Sequence, residues 1–210
     1  MSSQPNFDRV ARVYRWAEYL SLGPILQRTR THFLAQLAGC RQALVLGDGD
    51  GRFLAQLIRQ NPALDALAVD ISASMLRLLR DRCPSPRLQT MQTSALDVTP
   101  QPGTDLVVTH FFLDCLTQPE VASLTQKIAE HTQPGALWVI SDFEVPQRPI
   151  VGSFAKLYIR TLYVAFGILT GLRVQSLPDP QAALRQAGFT RVVRHEKLFG
   201  LLYAEIWRRQ

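Results

Sequence analysis

The residues best suited to chemistry lie in the stretch LVLGDGDGRF, residues 44–53, where three glycines alternate with two aspartates. Gly47, Gly49 and Gly51 can adopt positive φ angles and let a ligand approach the backbone closely. A helix predicted directly after them presents free N–H groups to polar or anionic atoms. Asp70 ends a predicted strand 19 residues after Gly51, where an acid typically accepts both hydroxyls of a ribose. The combination predicts a nucleoside-binding site.

The spacing of this loop separates it from a dinucleotide site. The glycines follow the pattern G-x-G-x-G instead of G-x-G-x-x-G. Asp48 and Asp50, inside the loop, would repel a pyrophosphate. A nucleoside with a cationic tail suits them better, and S-adenosylmethionine has an ammonium and a sulfonium. We therefore predict S-adenosylmethionine as the cofactor, with S-adenosylhomocysteine as its product.

Strand and helix signals alternate along residues 43–142 with short connections, which is typical of a parallel sheet covered by helices on both faces. Two more strand signals surround Phe199-Gly200, and that reversal predicts an antiparallel pair. We predict an α/β fold: a Rossmann-like, doubly wound, mostly parallel seven-stranded sheet with an antiparallel C-terminal strand, plus N-terminal helices. The predicted strands span 43–47, 65–70, 87–92, 105–110, 136–142, 189–196 and 201–208, and the predicted helices between them span 52–60, 72–80, 120–132 and 178–187.

Two helical additions extend this core. Apolar residues at helical spacing predict two helices over 7–38, joined at Leu22-Gly23-Pro24. Residues 150–172 are strongly apolar and contain no acid. The predicted organisation is an N-terminal helical lid over 1–40 and a cofactor-binding domain over 41–210, with an apolar helical insertion at about 148–175.

Five stretches resemble the motifs of a known family. They are ALVLGDGDG, LAVDISASML, DLVVTHFFLDCL, QPGALWVISDF and FDRVARVYRWAEYL. The first four resemble the glycine loop, the second-strand motif, the post-loop strand and the fifth strand of class I S-adenosylmethionine-dependent methyltransferases. The last is similar to the N-terminal helix of their small-molecule and quinone-type members. The resemblance covers about residues 40–210 and implies a methyltransferase.

The resemblance also implies a set of cofactor contacts. It places the ribose on Asp70, the adenine near Ile71 and the stretch 94–96, and Tyr14 close to the cofactor. The residues expected to bind the cofactor are Tyr14, Gly47, Asp48, Gly49, Asp50, Gly51, Asp70, Ile71, Met75, Ser94, Ala95, Leu96, Thr109 and His110.

Two positions depart from the family pattern. Val45 stands where the family often has an acid that holds the methionine ammonium, and Ser94 stands where it often has an aspartate beside the adenine amine. These departures leave two alternatives open: a non-catalytic S-adenosylmethionine-binding protein, or another reaction on the same scaffold. A nucleotide-dependent oxidoreductase is a further alternative, which the glycine spacing and the loop acids disfavour.

His110 is the best candidate for a general base, because it ends the fourth predicted strand beside the expected cleft. Asp114 lies four residues further on, so the two side chains share a face on a helical turn. The catalytic hypothesis is a His110–Asp114 pair that activates a hydroxyl. The alternative is that His110 packs or contacts the cofactor while Asp114 caps a helix.

The apolar insertion is the part of the sequence that most directly indicates the class of acceptor. Between Arg160 and Arg173 it has 12 unbroken residues, fewer than the roughly 20 that span a bilayer. It is expected to be a lid over an apolar substrate, an interfacial helix or a dimer contact. We predict methyl transfer to a small lipophilic acceptor at oxygen or carbon. The chain is expected to be a monomer or a homodimer. Peripheral membrane contact through residues 150–172 is one alternative for the insertion.

Composition excludes several other classes. The chain has 210 residues, 47% hydrophobic and 19% charged, which is typical of one globular domain. Three scattered cysteines and four histidines give no disulfide scaffold and no metal-ligand spacing, so no metal is expected. The net charge of +6 comes from basic segments that flank an acidic centre. No basic run is interleaved with aromatic residues, so nucleic acid is not expected as a partner.

Without a secretory signal, a cytoplasmic location is expected.

Overall fold

The computed structural model describes residues 22–146, 152–153, 155–159, 161 and 177–210. Tyr14, most of the predicted lid and most of the predicted insertion therefore lie outside the described residues, and the predicted division into lid, core and insertion stays a prediction. The helices are α1 (Gly23–Arg30), α2 (Arg52–Gln60), α3 (Ala73–Arg82), α4 (Gln118–His131) and α5 (Pro180–Gln186). The strands are β1 (Gln42–Leu46), β2 (Asp65–Asp70), β3 (Leu88–Gln92), β4 (Leu106–His110), β5 (Leu137–Phe143), β6 (Phe189–Lys197) and β7 (Leu202–Arg209).

All seven strands form one sheet in the order β3-β2-β1-β4-β5-β7-β6. The first five strands run parallel, and β7 pairs antiparallel with both β5 and β6. This arrangement confirms the predicted fold class. Because β1, β2, β4 and β5 are parallel, their carboxyl ends meet at one edge, where ligands bind in open α/β sheets. That edge carries Asp70 and His110.

The central strands β1, β2 and β4 are mostly continuous apolar runs because both faces of the sheet are covered there. One face packs against α2 and a 3₁₀ turn at Leu34–Leu37, with Val45, Val108 and Phe53 at its centre. The other face packs against α4 and α5 around Trp138. The sheet thereby holds the carboxyl ends of β1 and β4 rigidly between two apolar layers.

The helix ends predicted from the sequence agree with the structure at most positions. Ser72 caps α3, since its Oγ accepts from the Met75 N–H at 3.2 Å. The second of the two helices predicted over 7–38 is wrong beyond Arg30, where the chain passes into the 3₁₀ turn. The hydroxyls of Thr29 and Thr31 donate to the carbonyls of Ile25 and Gln27, a local pairing that competes with a regular helix.

Candidate active site

The glycine loop after β1 has left-handed backbone at each of its glycines. A Cβ on Gly51 would lie 2.9 Å from Leu79 Cγ, and a Cβ on Gly47 would collide with the Phe112 ring. These two glycines are therefore required for packing. Gly49, with φ +60°, has no atom within 4 Å of the place a Cβ would take. The loop is thus closed on two sides and open above Gly49, where a ligand can approach the backbone.

This difference gives a matched pair of substitutions. Gly49→Ala should cost about 1 kcal/mol of unfolding free energy for its left-handed backbone, yet weaken S-adenosylhomocysteine binding about tenfold, because the methyl group occupies ligand space. Gly51→Ala should cost about 2–3 kcal/mol, since its Cβ also meets Leu79. Urea unfolding and calorimetric titration measure the two effects. Unchanged affinity in Gly49→Ala would contradict a ligand above this glycine.

Asp70 lies beside the loop at the carboxyl end of β2. The Gly47 N–H donates to the Val69 carbonyl at 3.0 Å, which places Asp70 next to the start of the loop. One carboxylate oxygen of Asp70 accepts from the Ser72 N–H at 2.8 Å. The carboxylate is thereby oriented at the sheet edge and is partly exposed, as a ribose-binding acid needs to be.

The two acids inside the loop also have structural roles. Asp48 Oδ2 accepts from the Leu54 N–H at 3.0 Å and so gives a hydrogen-bond partner to a backbone N–H in the first turn of α2. Asp50 forms ion pairs with Arg52 at 3.0 Å and Arg82 at 3.1 Å. These arginines offset the negative charge that was expected to face the cofactor tail.

The residues predicted near the adenine lie on a short turn at Ala95–Asp97. Ser94 Oγ accepts from the Leu96 N–H at 3.2 Å, and Lys127 donates to the Leu96 carbonyl from α4. Gln92 donates to the Ile71 carbonyl at 3.3 Å, and Met75 is buried at the start of α3. The turn after β3 and the loop after β2 are thus both fixed near Asp70.

Thr109 faces the opposite side of the sheet from His110. Its hydroxyl accepts from the Trp138 indole N–H at 3.0 Å inside the core. Its side chain therefore has a packing role, and a cofactor contact at this position has to come from its backbone.

His110 is buried, with 2% of its surface exposed. Its ring packs edge-on against Phe53 with centroids 4.3 Å apart. Within the described part of the chain neither ring nitrogen has a hydrogen-bond partner. Burial, with a smaller contribution from the Arg30 charge, holds the pKa of His110 well below 6.5. The imidazole is therefore neutral at physiological pH, with an unused donor and an unused acceptor at the sheet edge.

The predicted pairing of His110 with Asp114 is not formed, since Asp114 is no partner of either ring nitrogen. The backbone of Asp114 bonds to the Asp142 carboxylate instead. Asp142 Oδ2 accepts from the Asp114 N–H at 3.2 Å, and its Oδ1 accepts from the Phe143 N–H at 2.9 Å. The turn after β4 bends Asp114 toward the end of β5, because Phe111 has φ +52° and the 3₁₀ turn begins only at Leu113.

Burial perturbs both carboxyls, and the charge of Asp114 adds to the effect on Asp142. Burial raises the pKa of Asp114 to about 6. Burial first, and then the charge of Asp114, raise the pKa of Asp142 well above 3.8. The pair therefore holds a proton more tightly than isolated aspartates do. Sequence reasoning missed Asp142 as a member of this pair, although an acid at the end of a buried strand is a signal for it.

A small apolar cluster lies beside this pair at the same sheet edge. It consists of Leu26, Phe111 and Leu202, with four half-buried apolar side chains packed around it. Phe111 contacts Phe143 at 5.3 Å between ring centroids, and the Arg30 guanidinium lies 5.0 Å from the Phe111 ring. The side chains packed around the cluster are Leu22, Ile25, Phe143 and Leu198.

These features fit S-adenosylmethionine. The open backbone above Gly49 admits a ligand, Asp70 offers a carboxylate for ribose hydroxyls, and His110 has two unused buried nitrogens. Among the described residues no group of three or more His, Cys, Asp or Glu side chains is arranged to hold a metal ion. No helix within the described ranges is long and apolar enough to cross a membrane. The cofactor roles of the individual residues stay predictions.

Comparison with known proteins agrees with this geometry. Residues 43–135 match the family model of a methyltransferase domain. The chain is 26% identical to the ubiquinone/menaquinone biosynthesis C-methyltransferase UbiE of Syntrophotalea carbinolica, over 94% of this chain and 90% of that protein.

Two solved structures share the fold. The mitomycin 7-O-methyltransferase MmcR superposes with a TM-score of 0.71 at 17% identity, over 98% of this chain and 61% of that one. A putative O-methyltransferase from Nostoc punctiforme PCC 73102 gives a TM-score of 0.72 at 17% identity, over 100% of this chain and 64% of that one. This chain thus spans less than two thirds of the length of either. The matches confirm the resemblance predicted from the sequence.

Proposed function

We propose that this chain, which carries a methyltransferase domain on the class I fold and has S-adenosylmethionine as its cofactor, methylates a small lipophilic acceptor at oxygen or carbon. The observation that carries the proposal is one sheet edge that combines an open glycine loop, the Asp70 carboxylate and an apolar cluster. The first two suit the cofactor, and the third suits an apolar acceptor.

The names of similar proteins support this acceptor class. One relative is named for C-methylation in ubiquinone and menaquinone biosynthesis, and one structural neighbour for O-methylation of mitomycin. Phe143, which is half-buried and packs against the apolar cluster, would contact such an acceptor through the face or edge of its ring. We therefore extend to this chain the class of quinone-type or aromatic acceptors.

The division of labour at the site follows from the chemistry of the cofactor. When bound, S-adenosylmethionine supplies an electrophilic methyl group, so the protein mainly has to position the acceptor and exclude water. His110 would hydrogen-bond the acceptor, since its neutral ring can accept from a hydroxyl. The Asp114–Asp142 pair would fix the turn that carries Phe111 and Phe112.

Replacing His110 by phenylalanine should lower kcat/KM about tenfold, because a hydrogen bond to the acceptor is worth about 1–1.5 kcal/mol. The edge-on packing against Phe53 should be kept. In the wild type, kcat/KM plotted against pH should decrease on the acid side only well below pH 6.5. The reason is that the His110 ring becomes charged only as pH falls through its lowered pKa. If kcat/KM of the wild type instead decreases near pH 6.5, and this decrease is absent in His110→Phe, the result would contradict a buried neutral ring.

The proposal is tested in two steps. Calorimetric titration with S-adenosylmethionine and S-adenosylhomocysteine should show one site per chain. Transfer of labelled methyl groups is then measured with quinone, phenol and fatty-acid acceptors. Absence of binding by the folded protein would overturn the cofactor assignment, and binding without transfer to any apolar acceptor would overturn the acceptor class.

One observation favours a second candidate, a non-catalytic S-adenosylmethionine-binding protein. Val45 is buried where the family often has an acid, and Asp50 is paired with two arginines. Fewer negative charges therefore face the methionine ammonium. This candidate predicts equal affinity for both nucleosides and no methyl transfer, whereas an enzyme is expected to turn over with at least one acceptor.

A further inference from the structure

Four basic side chains meet where the end of α1 reaches the edge strand β6. Arg28 lies in the last turn of α1, and His32 follows that helix. His195 and Lys197 lie on β6 two residues apart, so they share one face of the strand. The rings of His32 and His195 stack with centroids 3.7 Å apart and planes inclined by 9°. We call these four residues the basic cluster.

The fold brings the cluster together. On α1, Leu26 packs into the apolar cluster with Leu202, and the buried carbonyl of Thr29 accepts from the Ser141 hydroxyl at 3.4 Å. These contacts fix α1 across the ends of β5 and β7. The two imidazole rings are therefore held against each other by packing elsewhere, and no attraction between their charges is needed.

The charges within the cluster repel one another. Burial, His195 and Lys197 lower the pKa of His32, and burial and Arg28 lower the pKa of Lys197. Among the described residues no carboxylate forms an ion pair with any of the four. The neighbouring acid, Glu196, is paired with Arg194 at 2.8 Å. Within the described ranges the cluster thus concentrates positive charge without an ion-paired carboxylate.

We propose that the basic cluster is a binding site for a phosphate-type oxyanion, distinct from the methyl-transfer site. A guanidinium, an ammonium and two imidazoles offer several N–H donors over one small surface, which suits the oxygens of a tetrahedral anion. Stacked imidazoles repel when both are protonated, and a bound anion offsets that repulsion. Phosphate therefore binds together with protons. The oxyanion is either free in solution or the headgroup of an anionic lipid.

The test is a titration of the histidine ring protons by NMR, in the full chain, with inorganic phosphate against chloride at equal ionic strength. Phosphate should raise the pKa of His32 by about half a unit or more and should displace the ring-proton resonances of the stacked His195. His131 is the internal control, because it lies at the end of α4 and its ring bonds the Lys127 carbonyl. Lys197→Gln should abolish the phosphate effect, and Arg208→Gln, which removes an exposed charge from β7, should not.

Co-sedimentation with vesicles separates the two sources of the anion. Binding to phosphatidylglycerol but not phosphatidylcholine vesicles, lost in Lys197→Gln and kept in Arg208→Gln, would identify a lipid headgroup. A phosphate effect on the histidines without vesicle binding would identify a soluble oxyanion. Equal pKa values in phosphate and chloride, or an equal change at His131, would overturn the proposal whether or not the chain transfers methyl groups.

Discussion

Replacing Asp70 by alanine should weaken the binding of S-adenosylmethionine and S-adenosylhomocysteine by about 10- to 100-fold. The expected contacts are hydrogen bonds from two ribose hydroxyls to a carboxylate, and charge-assisted bonds of this kind contribute about 1.5–3 kcal/mol. The Ser72 N–H already fixes one oxygen of Asp70, so the carboxylate is oriented before the ligand arrives. Calorimetric titration measures the change.

The matched control is Asp65→Ala, at the opposite end of the same strand. Asp65 is exposed and pairs with Arg87 at 3.0 Å, so this substitution removes the same charge far from the carboxyl edge. The affinity of Asp65→Ala for S-adenosylmethionine and S-adenosylhomocysteine should equal that of the wild type. Equal losses in the two variants would attribute the effect to net charge or to strand stability, and full affinity in Asp70→Ala would place the ribose elsewhere.

The fold was predictable where a short pattern determines it. The run at residues 43–46 is apolar throughout because both faces of β1 are buried, and the helix over 52–60 was predicted with the bounds that α2 has. The loop glycines were also predictable, since alternate glycines at a strand end imply left-handed backbone. Local chemistry is sufficient in these cases.

The site was less predictable because its contacts join strands that are distant in sequence. His110 and Asp114 are four residues apart and suggested a pair, but the left-handed Phe111 interrupts any helical turn between them. The partner of Asp114 is 28 residues away on β5. Sequence spacing cannot show that proximity, since it depends on the pairing of β4 with β5.

The turn after β4 connects the two halves of the site. The Asp142 carboxylate holds the Asp114 N–H, and Phe112 in the same turn packs where a side chain on Gly47 would lie. A change at the end of β5 is therefore transmitted through this turn to the start of the glycine loop. The Asp114–Asp142 pair and Gly47 therefore belong to one packed unit at the carboxyl edge.

Asp114→Asn should stabilise the protein at pH 8 by about 1–3 kcal/mol, although it alters the site. The pKa of Asp114 is about 6 in the folded protein, against 3.8 for an ordinary aspartate, and one pKa unit corresponds to about 1.4 kcal/mol. Between these two pH values the folded chain binds more protons than the unfolded chain, so the unfolding free energy falls as pH rises. Asparagine is neutral throughout and also removes the repulsion on Asp142.

The advantage of Asp114→Asn should therefore be present at pH 8, decrease as pH falls through about 6 and disappear below about 4, where the wild-type carboxyl is protonated in both states. Urea unfolding at pH 4, 6 and 8 measures it. Asp81→Asn, on the exposed side of α3, removes the same charge from the surface and should change stability by less than about 0.5 kcal/mol at each pH. A pH-independent difference for Asp114→Asn would mean that lost contacts, and not a buried charge shared with Asp142, set the stability of this turn.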